Sequence, residues 1–251
     1  MKKTTAALLT GSALLLASCT RDTAPAAQQD NASGRVVEVQ FDQNTGAASY
    51  RAWSGGVGQV IASVGGNTLV QSELKADGSF NLTLPRPDAS LLTPLDPNAF
   101  STELPSNCTG NLSGSGATEV NAAVAVFSVQ AQQSGLIAPA TLTATASEVG
   151  VYVYYDKAVS LTGKVTCVEN NVTTTGDIDA RFSVGWNKLS LGFAETPTGP
   201  AITYETGTVP GNWVYSGPLA ASPLRGQALQ GQGLKGKALD AMKALHLPFL
   251  R

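Results

Sequence analysis

From residue 35 onward, apolar and polar positions alternate with a period of two and are interrupted by turn residues. Val37, Val39 and Phe41 alternate with polar neighbours, and Asn44-Thr45-Gly46 follows as a turn. Period-two runs separated by turns are typical of half-buried β-strands. Further runs of this kind cover 47–53, 57–64, 69–74, 79–84, 120–129, 140–146, 149–155, 159–168, 172–175, 177–184, 189–193, 201–206 and 212–215. The spacing predicts an all-β protein of one or two antiparallel β-sandwich modules.

One turn has a specific sequence signature. Asp77-Gly78 separates the run 69–74 from the run 79–84. Asp-Gly favours the positive φ angles of a tight hairpin turn, so these two runs are predicted to pair with each other. Prolines at 85 and 87 end the second run, because proline cannot donate to a strand ladder.

The same segment, roughly 57–85, resembles the carboxypeptidase-regulatory-like and transthyretin-like β-sandwiches of bacterial envelope proteins. The resemblance is carried by Gly58-Gln59-Val60 and by the stretch from Asp77 to Pro85, which reads Asp-Gly-Ser-Phe-Asn-Leu-Thr-Leu-Pro. It implies a small Greek-key sandwich, and the shared motif is a structural turn that implies no activity.

The N-terminus carries an export signal. Lys2 and Lys3 precede an apolar stretch over 6–17 that is too short to span a bilayer but has the length of a signal-peptide core. The stretch ends in Leu16-Ala17-Ser18-Cys19, which resembles the lipobox of bacterial lipoproteins. The resemblance implies cleavage before Cys19, lipid attachment to its sulfur and anchoring in a membrane, the outer one in a host with two membranes. An ordinary secretory signal with a coincidental cysteine is the alternative.

Composition shifts along the chain predict six segments. Residues 86–117 hold four prolines with many Ser, Asn and Gly, while 226–236 is rich in Gln, Gly and Leu. Apolar residues after 233 recur near helical spacing, which predicts a short C-terminal amphipathic helix. The predicted segments are a signal peptide (1–18), a disordered tether (19–34), a first β-sandwich module (35–87), a connector (88–117), a second β-rich module (118–217) and a low-complexity basic tail (218–251).

The cysteines fit export. With Cys19 assigned to lipid, Cys108 and Cys167 remain. An exported chain folds in an oxidising compartment, so these two are predicted to form a disulfide, with two free buried thiols as the alternative.

Composition and charge exclude several functional classes. The chain has 251 residues, 14% of them charged, and a single histidine, His246. Histidine-dependent catalytic triads and zinc sites are therefore not expected, and neither is any cofactor. The net charge of −2 combines a body (19–217) of 17 acidic and 9 basic residues with a tail (218–251) of 5 basic and 1 acidic residue. This balance predicts no nucleic-acid partner, whereas the tail could lie on an anionic membrane, dock on a partner or pack on the acidic body.

Three functions are compatible with the sequence. The preferred one is a non-catalytic, lipid-anchored protein of the cell envelope that binds or holds another envelope component. The first alternative is a carbohydrate- or small-ligand-binding module that uses an aromatic surface on Tyr152, Tyr154, Trp186 and Trp213. The second is a hydrolase based on carboxylates, although Asp177 and Asp179 share their strand face with Arg181 and are better explained as a solvated, ion-paired row.

Overall fold

The computed structural model describes residues 30–42, 44–97, 104, 106–169 and 171–217, and these residues form fifteen β-strands. The one helical element among them is a single 3-10 turn at Ala89–Leu91. The strands are β1 Asp30–Phe41, β2 Ala48–Ala52, β3 Gly58–Val64, β4 Asn67–Leu74, β5 Ser79–Leu84, β6 Thr93–Leu95, β7 Cys108–Gly116, β8 Val120–Gln130, β9 Ser134–Leu142, β10 Ala146–Tyr155, β11 Val159–Glu169, β12 Val172–Phe182, β13 Gly185–Thr196, β14 Gly199–Thr206 and β15 Asn212–Tyr215. The predicted all-β class is confirmed.

The strands form one continuous hydrogen-bonded network. Its order is β2-β1-β15-β9-β8-β10-β13-β14-β12-β11-β7, with β3, β4, β5 and β6 attached beside this path. Pairing is antiparallel except between β1 and β15 and between β12 and β14. Strands from the two predicted modules pair directly, β3 with β8 and β1 with β15.

Two large groups of buried side chains lie on opposite sides of β10. Tyr152 and Tyr154 belong to the first group, with residues of β1, β3, β4, β5, β8, β9, β13 and β15. Val153 and Tyr155 belong to the second group, with residues of β8 and β11 to β14. Because successive side chains of a strand point to opposite faces, β10 contributes to both cores and has no solvent-facing side over this stretch.

The first half contains one wrong pairing prediction. The Asp77-Gly78 turn forms, with the Gly78 amide donating to the Lys75 carbonyl at 2.9 Å. The strands on its two sides then diverge, because β4 pairs with β3 and β5 pairs with β1. The local turn was therefore predicted correctly, and the hairpin was not.

Strand boundaries differ from the predicted segments in four places. β1 begins at Asp30, within the predicted tether, and β6 and β7 lie within the predicted connector. Gly176 does not interrupt β12, and residues 143–145 separate β9 from β10. The predicted signal peptide (1–18), Cys19, the tether up to residue 29 and the tail (218–251) lie outside the described residues. Within the described residues, no helix has the length and hydrophobicity needed to cross a membrane.

The predicted disulfide is present. Cys108 of β7 and Cys167 of β11 are directly opposite in the ladder and are joined through their sulfur atoms. Both are buried, packed with Val165 and Leu104 in a small apolar cluster. The bond ties β7, which lies within the predicted connector, to β11 in the second half.

Candidate functional site

A polar cleft lies where the ends of several strands meet. It has a volume of about 290 Å³ and is lined by Asp30, Arg181, Trp186, Asn187, Lys188, Thr206 and Gly207. Asp30 starts β1, Arg181 lies near the end of β12, and Thr206 ends β14. The remaining side chains come from the beginning of β13. The cleft is therefore built from strands that are far apart in sequence.

An ion pair forms one wall of the cleft. The Lys188 ammonium lies 3.1 Å from the Asp30 carboxylate, and the two side chains are only 30% and 24% exposed. The ammonium also lies 5.7 Å from the centre of the Tyr152 ring. Burial and, to a smaller extent, the Asp30 charge raise the pKa of Tyr152, so this ring stays neutral and offers its π face to the cation.

Arg181 supplies a second cation. Its Nε donates to Asp179 Oδ1 at 2.9 Å, and its side chain is 72% exposed. Its backbone amide donates to the Thr206 hydroxyl at 3.0 Å, which fixes the end of β12 against β14. Among the described residues, only Nε of the guanidinium has a protein partner, so the other N–H groups are available for a ligand.

Hydrogen bonds hold the residues at the base of the cleft. Trp186 is buried and its Nε1 donates to the Pro85 carbonyl at 2.8 Å. Asn187 Oδ1 accepts from the Ser183 amide at 2.8 Å, and its Nδ2 donates to the carbonyls of Ser183 and Gly185. These bonds close the tight turn between β12 and β13 and set the position of Lys188.

The aromatic ligand surface predicted on Tyr152, Tyr154, Trp186 and Trp213 requires a correction. All four side chains are at most 3% exposed and belong to the first core group. Trp213 donates from Nε1 to the Ser33 carbonyl at 3.1 Å and packs edge-on against Phe127 and Phe80. These rings are therefore not a stacking surface, because both faces of β10 are covered. Trp186 alone contacts a cleft.

The row of charges predicted on β12 is solvent-exposed and ion-paired. Asp179 pairs with Arg181, and Asp177 pairs with Lys164 of the neighbouring strand β11. The intervening residues Ile178 and Ala180 are buried, as strand alternation requires. Each of the two carboxylates thus faces a cation, and the pair does not converge on a shared cavity.

Sequence reasoning missed most of the cleft. The sequence predicts a tether at Asp30, and Thr206 lies in no recognisable motif. The sequence predicts Arg181 as part of the solvated row with Asp177 and Asp179, but it does not predict that Arg181 lines a cleft. The one local indication is the Gly-Trp-Asn-Lys stretch at 185–188, which contributes three of the lining residues.

The described residues hold no candidate metal site. Within the described residues, no group of three or more His, Cys, Asp or Glu side chains is positioned to hold a metal ion. Comparisons with protein-family models, with curated proteins and with solved structures return no match. The functional interpretation therefore depends on the cleft and on the sequence.

Proposed function

We propose that this chain is a non-catalytic, lipid-anchored protein of the cell envelope that binds another envelope component. The observation that carries the proposal is the cleft, whose lining holds Arg181, Lys188 and Asp30. Lys188 pairs with Asp30, and Arg181 pairs with Asp179 through its Nε alone. The surrounding body (19–217) is acidic, with 17 acidic and 9 basic residues. A cleft lined by an exposed guanidinium, whose remaining N–H groups have no partner among the described residues, favours an oxyanion, a carboxylate or phosphate group, as the ligand.

The available hydrogen-bond donors support the same ligand class. Guanidinium N–H groups bind planar carboxylates and phosphates in a fork geometry. The Lys188 ammonium is already held between Asp30 and the Tyr152 ring. Little side-chain entropy is then lost when a ligand engages Lys188, because the ion pair restricts the side chain in advance.

Binding to the cleft is tested by titrating the full chain with acetate, inorganic phosphate and N-acetylglucosamine, monitored by the NMR shifts of the Asn187 and Gly207 amides. We expect shifts with the two anions and their loss in the combined variant Arg181→Gln and Lys188→Gln. Lys164→Gln is the matched control, since Lys164 also pairs with an aspartate on a strand but lies outside the cleft. Equal loss in the control would contradict a specific site.

The neutral sugar separates the two binding functions. A response to N-acetylglucosamine without a response to either anion would favour the carbohydrate-binding alternative. That alternative has one supporting observation, the contact of Trp186 with the cleft. Its ring is 3% exposed, so stacking of a sugar would require local opening.

The lipid anchor remains a proposal that rests on Leu16-Ala17-Ser18-Cys19. Mass spectrometry of the mature N-terminus should find an acylated Cys19, and Cys19→Ser should release the protein from the membrane fraction. A mature chain that starts at another residue without lipid would overturn the anchor and leave the cleft proposal intact.

The layered arrangement is part of the same proposal. We propose that the strands pack as sandwich-like layers, because the buried side chains form two large groups on either side of β10. The pairings of β3 with β8 and of β1 with β15 favour one cooperative unit over two modules. A single unfolding transition, seen identically by tryptophan fluorescence and by circular dichroism, is expected. The helical tail over 218–251 is tested by the loss of helical ellipticity when the chain ends at 217.

A further inference from the structure

One edge of the strand network ends in β7. Among the described residues, β7 pairs only with β11. The Asn107 carbonyl accepts from the Val168 amide at 2.8 Å, so the odd-numbered residues of this segment direct their backbone groups toward β11. Gly110, Leu112 and Gly114 therefore present N–H and C=O groups at the outer edge.

The β7 edge lacks the usual protection against strand addition. Its nine residues are Cys-Thr-Gly-Asn-Leu-Ser-Gly-Ser-Gly, which include no Asp, Glu, Lys, Arg or Pro. Natural edge strands are commonly guarded by inward charges, lysines or prolines. An unguarded edge whose outer backbone groups have no partner in the described part of the chain is suited to pairing with another extended chain.

Both ends of this edge are fixed in place. The disulfide from Cys108 to Cys167 holds the first residue of β7 on β11. Near the other end, the hydroxyls of Ser115 and Ser160 lie 2.7 Å apart. The edge is therefore preorganised, which lowers the entropy lost when a partner strand binds.

The sequence of β7 indicates which partner fits. Its central residue is Leu112, and the residues around it are nearly palindromic: Thr109 matches Ser115, Gly110 matches Gly114, and Asn111 matches Ser113. A second copy placed antiparallel about a two-fold axis at Leu112 would oppose these like residues. Identical surface patches facing each other are the requirement of a two-fold dimer.

We propose that β7 is a homodimerisation edge, on which two chains pair antiparallel with Leu112 opposite Leu112. The five outward residues of each strand would form about ten backbone hydrogen bonds; they are the even-numbered residues Cys108, Gly110, Leu112, Gly114 and Gly116. Leu112 is half-buried against the second core group, and its counterpart would cover the remaining surface. β7 itself carries no charge, so no like charges would face each other across the proposed strand pair.

The register makes the test specific. In the proposed dimer Asn111 lies opposite Ser113 of the second copy, in a close pair with Cα atoms about 4.5 Å apart. Two full-length chains with tags of different size, one Asn111→Cys and one Ser113→Cys, should therefore cross-link on mild oxidation. Either variant alone places its cysteines on a diagonal about 8 Å apart, beyond the reach of a disulfide, and should cross-link weakly.

Two controls separate edge pairing from other association. In the first control, one chain carries Thr162→Cys and the other carries Thr166→Cys. These residues of the interior strand β11 lie opposite Ser113 and Thr109 of β7, and the two chains should not cross-link. Gly114→Pro should abolish the cross-link while far-UV circular dichroism is retained, since the Gly114 amide points away from β11.

Three results would overturn the proposal. They are equal cross-linking of the single variants, cross-linking of residue 113 to a different protein, and cross-linking of residue 113 to a cysteine placed in 98–103 of the same chain. The experiment does not depend on the proposed lipid anchor or on the cleft.

Discussion

Two buried tyrosine hydroxyls give the sharpest stability prediction. Tyr155 on β10 and Tyr204 on β14 are 0% and 4% exposed, and neither hydroxyl has a hydrogen-bond partner among the described residues. Burial raises the pKa of both phenols, so both stay neutral. A buried polar group without a partner costs about 1–3 kcal/mol, because it has lost its hydrogen bonds to water.

Replacing either residue with phenylalanine removes this cost and keeps the ring. The Tyr155 ring packs 4.5 Å from the Phe182 ring, a contact that phenylalanine preserves. The small gap left by the hydroxyl offsets part of the gain. We expect Tyr155→Phe and Tyr204→Phe each to raise the free energy of unfolding by about 1 kcal/mol. The corresponding rise in the melting temperature is roughly 2–4 °C for a chain of this size.

The assay is equilibrium unfolding in guanidinium chloride, followed by tryptophan fluorescence with the disulfide intact. Tyr50→Phe and Tyr215→Phe are matched controls, because these hydroxyls have partners. The Tyr50 hydroxyl accepts from the Leu142 amide at 2.6 Å, and the Tyr215 hydroxyl donates to a backbone carbonyl at 3.2 Å. Both controls should lose about 1 kcal/mol. A loss of stability in Tyr155→Phe would refute the reasoning and indicate a buried water bonded to the hydroxyl.

Three further predictions concern the same unfolding assay. The disulfide closes a loop between residues with a sequence separation of 59. Replacing Cys108 and Cys167 with alanine should therefore lower the free energy of unfolding by about 4 kcal/mol through loop entropy. An unchanged denaturation midpoint would contradict this prediction. Gly78→Ala should destabilise more than Gly65→Ala, because both have positive φ but only at Gly78 would the new Cβ lie 2.6 Å from a backbone oxygen. Hydrogen bonds from the Ser79 hydroxyl and amide lower the pKa of Asp77. The Asp77 carboxylate therefore stabilises the fold above about pH 4, and this stabilisation is lost as the pH falls through the lowered pKa. Asp77→Asn should therefore reduce stability at pH 7 and leave it unchanged near pH 2.

Local pattern was sufficient to identify most strands. The predicted runs 120–129, 159–168 and 212–215 correspond to β8, β11 and β15. The alternation of apolar and polar residues indicates which face of a strand is buried, and turn residues indicate where the strand ends. Both properties can be predicted from neighbouring residues alone.

Strand partners could not be obtained in the same way. The Asp77-Gly78 turn predicted a hairpin, but β5 pairs with β1, which lies more than forty residues earlier. The turn makes this possible, since the Gly78 carbonyl accepts from the Val36 amide at 2.9 Å and starts the β1–β5 ladder. Register is decided by which apolar faces close on each other, and that depends on distant residues.

The aromatic residues show the same limit at the site. Strand alternation puts Tyr152 and Tyr154 on one face of β10 and Val153 and Tyr155 on the other, as the two core groups show. It could not show that both faces are covered, because coverage is provided by strands from both halves of the chain. The predicted binding surface was therefore core, and the polar cleft formed from residues that no motif connects.

Asp30 illustrates why the cleft and the proposed anchor belong together. The stretch Asp30-Asn-Ala-Ser-Gly34 is polar enough to be interpreted as a tether, yet it is strand, because Ala32 is fully buried and Gly34 lies against Trp213. A Cβ at Gly34 would lie 2.5 Å from the Trp213 ring, so only glycine permits this approach. Strand structure is thus present at Asp30, the first described residue, eleven residues after Cys19. At 3.3–3.6 Å per residue the proposed anchor would keep the cleft within about 40 Å of the membrane, where a membrane-bound oxyanion could reach it.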